Sequence, residues 1–445
     1  MVVVLVVAVI MNNPFIYTGD FSGQVQKYQL NDQNLTVING YLKTNGDYRV
    51  LYLPMIQPFK YDNLSYYGID PILAYSSKPT IGNYIGSDFL IRLGIDCYLP
   101  SSNLTNIFKI LSVKYVFIRN DLQSVLPQYL NEGRLPIGNG YYDIRPIWTN
   151  DNLFKTMANQ QNLNLSNSTA TLLVFENKDF LPHIYPAITP ISVNGSTDEL
   201  FTMLLSSTVG NLDNKAMFLS AQLDQEQWQF IKNYAKTSLT TEKPPSITFK
   251  KVNPTKYEVK VENANQPFFI IFNENYNPQW KAYLEDKGAD FSRVIASYPN
   301  INVKEADHEE RFAPEDISYL FTKQIEEKYH MIANGYANAW YIDPQQVSNG
   351  SEHFTITLYY LPQSYYYLGL LTSGITISVC MGYLIYLTLH HQIKKAKCCR
   401  IRGYRTRPTQ VFGTIARLSF SGVAKNRALT NYLQAFRNYS IKVDE

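Results

Sequence analysis

Tyr365–Leu389 reads YYYLGLLTSGITISVCMGYLIYLTL, 25 residues without one Asp, Glu, Lys or Arg. As an α-helix this run extends over about 37 Å, enough to cross a hydrocarbon core of about 30 Å with some tilt. Three tyrosines stand at its N-terminal end and Tyr383 and Tyr386 near the other end, as in the aromatic belts of membrane helices. We therefore predict that Tyr365–Leu389 is a transmembrane helix rather than the buried core helix of a soluble protein.

Basic side chains follow the hydrophobic run at once. From Lys394 onward the chain carries 12 Lys and Arg against two carboxylates, which leaves 28 basic and 35 acidic residues in the rest. Positively charged flanks stay on the cytoplasmic side, so residues 390–445 are predicted to be a cytoplasmic tail at the plasma membrane and the bulk of the chain to be extracytoplasmic. A basic tail suits the lipid bilayer as a partner, whereas the mildly acidic remainder argues against nucleic acid. The basic flank consists of His390, His391, Lys394, Lys395, Lys397, Arg400, Arg402, Arg405 and Arg407.

The N-terminal stretch Met1–Met11, MVVVLVVAVIM, is apolar but only about 16 Å long as a helix. It lacks the basic region of a signal peptide and a clear cleavage site. It is an atypical signal or anchor, a buried strand, or the end of a transmembrane helix whose beginning lies upstream. The third interpretation is favoured, because an exported chain needs an export signal.

Residues 12–190 are predicted to form a mixed α/β unit. Tyr48–Pro54 is a short apolar strand in which Arg49 is the one charge. Leu104–Leu111 repeats apolar residues at helical spacing and leads into a buried strand at Val113–Ile118. Alternation of strand and helix is typical of an α/β sheet.

Residues 191–246 are predicted to be a helical connector, with helices at Thr197–Ser206 and at Asp224–Tyr234. Asp224 is a suitable N-cap for the second helix because its carboxylate can accept from free backbone N–H groups. The prolines of Lys243–Ser246 mark the end of this connector, since consecutive prolines continue neither a helix nor a sheet.

Residues 247–362 switch to strand patterns with alternating or β-branched runs. They are interrupted by 285–328, which is charged and less regular and is interpreted as an insertion with a helix near Glu315–Tyr329. The whole chain is therefore predicted to have an α+β fold, in which the α/β unit precedes an antiparallel β-sandwich, one C-terminal transmembrane helix and the basic tail. The strand runs are ITFKKV, YEVKV, PFFIIFNE and HFTITLYYLP.

Two stretches, Asn273–Tyr283 and Asn334–Ile342, concentrate aromatic and amide side chains. Aromatic faces stack on the C–H faces of sugars and amides bind hydroxyls, so these stretches fit a carbohydrate site. The alternative is that both tryptophans are core residues of the sandwich, and that Gly335 is needed for a positive φ or for a close approach of the backbone. The candidate glycan contacts are Tyr276, Trp280, Asn334, Tyr336, Asn338 and Trp340.

Other chemistry leaves no clear signature. The histidines stand at no metal-ligand spacing, and the chain contains neither a glycine-rich phosphate loop nor a G-x-S-x-G motif. Asp70, Asp96, Glu274 and Asp343 are carboxylates of the kind that acid–base catalysis uses, but nothing in the sequence pairs two of them. The sequence thus predicts no metal, no cofactor and no catalytic residue.

Eight stretches carry a family resemblance, in this order along the chain: YRVLYLP (48–54), YGIDP (67–71), LSVKYVFIRND (111–121), LLVFENKDFLPHIYP (172–186), NPTKYEVKV (253–261), PFFIIFNENYNPQWKAY (267–283), NGYANAWYI (334–342) and ITLYYLPQSYYYLGLLTSG (356–374). Together they resemble the C-terminal extracytoplasmic region of large YfhO-like and arabinofuranosyltransferase-like membrane proteins, which are related to GT-C glycosyltransferases. The resemblance implies an N-terminal bundle of membrane helices that holds the catalytic acidic residue, and a lipid-linked sugar donor. Met1–Met11 would be the last part of that bundle, so no catalytic residue is carried over.

Three functional hypotheses follow. The first is a membrane-anchored extracytoplasmic module of a glycosyltransferase in cell-surface glycan assembly, which binds or positions glycan next to a polytopic membrane partner and has no catalytic core of its own. The second is a structural or adhesive surface protein without a glycan ligand. The third is an enzyme with an unrecognised site, which predicts a deep pocket lined by at least two carboxylates.

Overall fold

The computed structural model describes residues 33–53, 59–60, 67–68, 76–81, 103–119, 134–137, 140–143, 150–206, 209–237, 243–285 and 291–401. The predictions for Met1–Met11, for Asp70 and Asp96 and for the tail beyond Ile401 lie outside these residues. The described residues up to Tyr365 form one compact unit and those from Tyr366 a second.

The helices are α1 (Gln33–Leu42), α2 (Leu104–Ile110), α3 (Asn150–Ala158), α4 (Thr197–Leu205), α5 (Gln225–Thr237), α6 (Pro344–Val347) and α7 (Pro362–Ile401). The strands are β1 (Arg49–Leu53), β2 (Phe59–Lys60), β3 (Tyr67–Gly68), β4 (Thr80–Ile81), β5 (Val113–Arg119), β6 (Arg134–Ile137), β7 (Gly140–Asp143), β8 (Leu163–Ser168), β9 (Leu172–Asn177), β10 (Ile184–Ala187), β11 (Thr189–Val193), β12 (Lys215–Leu219), β13 (Ser246–Asn253), β14 (Lys256–Glu262), β15 (Phe268–Asn275), β16 (Trp280–Glu285), β17 (Val294–Tyr298), β18 (Val303–Ala306), β19 (His330–Ala333), β20 (Ala337–Ile342) and β21 (Phe354–Tyr360).

A five-stranded sheet of order β4-β1-β5-β9-β8 forms the first part of the chain, and its two pairs on either side of β1 are parallel. Side chains alternate across it, so Val50 and Tyr52 pack on α1 while Leu51 and Leu53 join the main core with α2. The predicted helix at Leu104–Leu111 and the strands at Tyr48–Pro54 and Val113–Ile118 are therefore confirmed.

The two helices predicted within residues 191–246 are also confirmed. Helix α4 starts at Thr197, and helix α5 follows Asp224, whose Oδ1 accepts from the backbone N–H of Gln227 at 2.8 Å. This carboxylate satisfies a donor at the first turn that has no partner inside the helix.

Two further sheets contain most of the C-terminal strands. One has four antiparallel strands in the order β10-β15-β20-β19, and the other has six in the order β16-β21-β14-β13-β18-β17 with a single parallel pair, β13 and β18. The fold is thus α+β, as predicted, with mostly antiparallel pairing, whereas the β-sandwich stays a prediction. Strand β10 comes from the predicted α/β unit yet pairs with β15, so the hydrogen bonds of this sheet cross the predicted unit boundaries.

The region predicted as an insertion, 285–328, supplies two strands to the six-stranded sheet. The predicted helix near Glu315–Tyr329 is wrong. The chain forms short 3-10 turns at Pro314–Leu320 and Glu327–Tyr329 instead. Pro314 starts the first turn. The side chain of Tyr319 is only 8% exposed, so the packing of this ring, rather than apolar residues at α-helical spacing, determines the conformation of the segment.

The hairpin between β19 and β20 turns through Asn334 and Gly335, which have φ values of 55° and 82°. Tyr336 N–H donates to the carbonyl of Ala333 at 3.0 Å and closes the turn. Two positive φ values at the central residues match the twist of a two-stranded hairpin, and Asn and Gly adopt them most readily. The predicted positive φ at Gly335 is confirmed.

Helix α7 begins two residues after β21 ends. Within the described residues it is the one helix long and apolar enough to cross a membrane. Its side chains from Leu368 to Leu389 are exposed, as a lipid-facing helix requires and a soluble core helix does not.

Candidate functional site

A cleft of about 410 Å³ opens in the first unit between the segment that follows β9 and the hairpin of β17 and β18. Its volume lies within the range of small-molecule sites. The residues that line it are Asn45, Lys114, Lys178, Asp179, Phe180, Leu181, Asp213, Ile295, Ala296, Ser297, Tyr298, Pro299, Asn300 and Ile301.

Two aromatic rings form the apolar part of the cleft. Phe180 and Tyr298 are half-buried, and their ring centroids lie 5.6 Å apart in an edge-to-face arrangement. The Tyr298 hydroxyl donates to Oε2 of the fully buried Glu305 at 3.4 Å. Burial raises the pKa of Tyr298 well above its usual value, and the charge of Glu305 raises it further. The Tyr298 hydroxyl therefore stays protonated, and its hydrogen bond to Glu305 fixes the position of the ring.

Gly46 leaves room for the ring of Tyr298. The residue has a φ of 102°, and a Cβ atom built on it would lie 3.3 Å from the Tyr298 hydroxyl oxygen. A larger residue would strain the backbone and displace the ring of Tyr298.

Charged side chains form the polar walls. The buried ammonium of Lys109 binds Asp179 Oδ1 at 2.7 Å and Asp213 Oδ1 at 2.8 Å, so one cation fixes both carboxylates at the cleft. Lys114 lies with its Nζ 4.8 Å from the ring centre of Tyr48, and burial lowers the pKa of this lysine although Glu176 opposes the shift. Fixed carboxylates and amines next to aromatic rings are the groups that bind sugar hydroxyls.

A buried charged cluster lies behind the cleft. Glu305 accepts from the backbone N–H of Asp47 at 2.9 Å, and its other oxygen lies 2.5 Å from Nε2 of His308. His183, which is 1% exposed, stands between two carboxylates, with Nε2 3.3 Å from Glu274 Oε1 and 3.9 Å from Asp47 Oδ2. Glu274 and Asp47, which no spacing in the sequence connects, thus both lie next to the ring of His183.

Arg49 completes this cluster. Its guanidinium donates to the carbonyl oxygens of Asn273 and Leu111 and to the Tyr336 hydroxyl, the last at 2.9 Å, and lies 3.9 Å from Glu274 Oε2. These bonds link β1 of the first sheet to β15 of the four-stranded sheet. The signal in the sequence was the single charge inside the apolar strand Tyr48–Pro54, because a charge is buried only where it has partners.

The pKa of Glu274 is held at about 2. Burial alone would raise it, but the interaction with His183, whose Nε2 lies 3.3 Å from Oε1, outweighs that effect, and the charges of Arg49 and Lys251 add to the lowering. Glu274 is therefore ionised throughout the physiological range and acts as a fixed anion rather than as a proton donor.

We expect stability to fall at acid pH because of Glu274. A carboxylate whose pKa is depressed on folding stabilises the folded state above its ordinary pKa of 4.5, and this contribution is lost as pH falls from 4.5 to 2. Since a third of the side chain is exposed to solvent, we expect a contribution of about 1–2 kcal/mol. Urea unfolding of the wild-type chain and of Glu274→Gln at pH 7 and pH 2.5 measures it.

The two free energies of unfolding should differ at pH 7, and the difference should be much smaller at pH 2.5. Glu315→Gln is the matched control, because the pair of Glu315 with Arg311 is exposed and should show almost no pH-dependent difference. An equal difference at both pH values would show that the Glu274 charge does not stabilise the fold.

The six residues predicted to contact glycan lie close together along β15, β16 and the hairpin of β19 and β20, and most of them are buried. Asn334 and Asn338 are fully buried. Asn334 bonds the backbone N–H of Met217 and the hydroxyl of Tyr185, while Asn338 accepts from Asn277 N–H and donates to the carbonyl of Glu274. The amide of Asn334 satisfies a backbone N–H within β12, and the amide of Asn338 satisfies backbone groups where β15 ends.

The aromatic members pack against neighbouring rings. Trp340, which is 1% exposed, stacks on His330 with ring centres 4.5 Å apart and 4° between the planes. Trp280 is 8% exposed and meets Phe272 edge-to-face at 4.9 Å. Tyr276 is half-buried, and burial followed by the charge of Glu327 raises its pKa. Whether these six residues contact glycan stays a prediction.

Within the described residues, no three His, Cys, Asp or Glu side chains are grouped as metal ligands. The cleft was not predicted because its walls come from five distant segments. Phe180 lies within one of the eight stretches that carry the family resemblance, but its sequence neighbours do not indicate that its ring lines a cleft.

Comparisons with known proteins give a weak structural likeness. No family model and no curated protein sequence matches the chain. Among solved structures, it is similar to the cryo-EM structure of the arabinofuranosyltransferase AftD from Mycobacteria, with a TM-score of 0.29 and 11% identity over 80% of this chain and 33% of that one. A mutant of the same protein gives a TM-score of 0.27 with 11% identity, over 80% of this chain and 34% of the other. The chain therefore spans about a third of the length of the structures it matches.

Proposed function

We propose that this chain is the membrane-anchored extracytoplasmic module of a GT-C-type, glycosyltransferase-like protein in cell-surface glycan assembly. In this proposal the chain binds and positions glycan, and catalysis belongs to a polytopic membrane part or partner. The eight sequence motifs support the family assignment. The apolar helix α7 supports the membrane anchor, and the basic residues that follow it support a cytoplasmic tail.

The observation that carries glycan binding is the cleft between Phe180 and Tyr298. A sugar needs an apolar platform for its C–H face and directed polar groups for its hydroxyls. Tyr298 supplies a ring fixed from behind by Glu305, and Asp179 is held in place by Lys109. Lys178, Ser297 and Asn300 are exposed along the rim and offer further polar groups.

The chemistry of the cleft does not need a catalytic pair. Asp179 and Asp213 share one buried lysine, whose ammonium holds both side chains in place at the cleft. We therefore assign the two side chains to binding of hydroxyl groups, on a free glycan or on the sugar of a lipid-linked donor.

Substitution of Tyr298 tests this proposal. Tyr298→Leu removes the ring and should weaken glycan binding roughly fivefold to tenfold, since stacking on one ring contributes about 1 kcal/mol. Tyr298→Phe keeps the ring, removes only the hydroxyl bond to Glu305, and should bind within about twofold of the wild-type chain. The measurement is binding of pentose and hexose oligosaccharides to the full chain in nanodiscs by calorimetry.

Thermal unfolding of the same samples separates loss of the ring from loss of the fold. Asp179→Asn is a second variant and should also weaken binding, because its amide oxygen is a poorer acceptor than the carboxylate. If no saccharide in the panel binds the wild-type chain, glycan binding is excluded for that panel and the alternative of a structural or adhesive surface protein is favoured.

A further inference from the structure

Two phenylalanines are strongly exposed on the segment that follows β18. Phe321 is 87% exposed and Phe312 is 62% exposed, the largest values among the large apolar side chains described before the helix α7. Both lie at the ends of the 3-10 turn Pro314–Leu320. Exposed apolar side chains of this size mark a surface that another phase or molecule covers.

The segment is fastened to the point where the chain enters α7. Ser364, the residue before the 25-residue apolar run, donates its hydroxyl to the carbonyl of Asp316 at 2.7 Å and bonds the Tyr359 hydroxyl at 2.9 Å. The Asp316 carboxylate pairs with Lys256 at 2.8 Å, and the pair is nearly buried. Tyr319 packs on Tyr359 with ring centres 4.5 Å apart.

The contacts of Asp316 and Tyr319 restrict the position of Phe321. It follows Tyr319 by two residues, so its backbone lies within about 7 Å of a ring that packs on the last strand before α7. If Tyr365 stands at the edge of the hydrocarbon, Ser364 and its bonded partner Asp316 stand in the headgroup zone, which is about 5–7 Å thick on each side.

We propose that Phe321 and Phe312 insert into the interfacial zone of the lipid bilayer and dock the first unit on the membrane surface. The proposal rests on the membrane anchoring by α7 proposed above. Phenylalanine and other aromatic side chains partition into this zone, and the exposed ammonium of Lys323, two residues beyond Phe321, can reach lipid phosphates.

Quenching by brominated lipid tests this docking. The full chain carrying Phe321→Trp is reconstituted into liposomes of phosphatidylcholine with acyl chains brominated near the headgroup, and the emission of the wild-type chain is subtracted. The added tryptophan should lose roughly half of its emission relative to liposomes without bromine, because quenching requires near contact with the outer acyl carbons.

Leu165→Trp is the matched control. Leu165 is also an exposed apolar residue, but it lies on β8, the edge strand of the five-stranded sheet, and that sheet does not contain β21, the strand that leads into α7. This tryptophan should not be quenched.

Flotation of the liposomes separates the two proposals. A chain that floats with the liposomes but shows no quenching at residue 321 overturns the docking and leaves the anchoring intact. Protection of that tryptophan from aqueous acrylamide without bromine quenching also overturns it, and assigns the patch to a protein partner. A chain that stays soluble overturns the anchoring and the docking together.

Discussion

Arg49→Met should lower the free energy of unfolding by about 3–5 kcal/mol, the cost of removing one partner from a buried charged cluster. The Arg49 side chain is 9% exposed, and its guanidinium satisfies the carbonyl oxygens of Leu111 and Asn273 and the Tyr336 hydroxyl. Methionine fills most of the volume but donates nothing, so these acceptors lose their bonds inside the protein. Urea unfolding of the chain in detergent, followed by tryptophan fluorescence, measures the change.

Arg293→Met is the matched control for this prediction. Arg293 also forms an ion pair with a carboxylate, Asp307, at 2.8 Å, but its side chain is 81% exposed. Exposed pairs contribute about 1 kcal/mol or less, so the control should unfold almost as the wild-type chain does. Equal effects of the two substitutions would show that burial of the Arg49 cluster does not stabilise the fold.

The position of the Arg49 cluster explains why substitution of Arg49 should also affect the cleft at Tyr298. Arg49 ties β1 to β15, and Asp47, two residues earlier, donates its backbone N–H to Glu305 on β18. Glu305 in turn holds Tyr298, while Phe180 follows strand β9 of the first sheet. Tyr298 lies on the six-stranded sheet and Phe180 in the segment after β9 of the five-stranded sheet, so the buried charges that join these two sheets also hold the two rings in place. We expect Arg49→Met to weaken glycan binding as well as stability.

Local patterns sufficed for the elements whose apolar side chains form a continuous run or repeat over several residues. Strand β5 is an almost continuous buried run, and helix α2 repeats apolar residues at every third to fourth position. Strand β17 was not predicted, because it lacks such a pattern. It is an edge strand with no buried residue, so its sequence carries no alternation to detect, and its pairing with β18 is a tertiary effect.

The site was harder to predict than the fold, because its contacts join residues far apart in the chain. Arg49 and Glu274 are more than 200 positions apart, and no local spacing indicates that they meet. The aromatic and amide stretches were visible in the sequence, but composition does not separate a sugar platform from a packed core. In the structure Asn338 bonds strand ends, whereas Tyr298, one tyrosine among 35, faces the cleft.

Trp340→Ala separates these two interpretations of the aromatic stretch. The indole is 1% exposed on β20, an inner strand of the four-stranded sheet, and it stacks on His330. Removing a buried tryptophan leaves a large cavity, so the free energy of unfolding should fall by about 3–5 kcal/mol. Trp228→Ala is the control, because Trp228 is half-buried on α5 and its truncation should cost only about 1 kcal/mol.

Glycan binding by the same variants decides which role Trp340 has. If the indole supports the core, the molecules that remain folded at low temperature should bind saccharide within about twofold of the wild-type chain, because the cleft at Tyr298 keeps its rings. If it is a glycan contact, affinity should fall about tenfold while stability changes little, since stacking on a ligand contributes nothing to the free chain. Lost affinity with unchanged stability would place the glycan site at the hairpin of β19 and β20 instead of the cleft. Lost stability with unchanged affinity would show that Trp340 is a core residue, as its burial indicates.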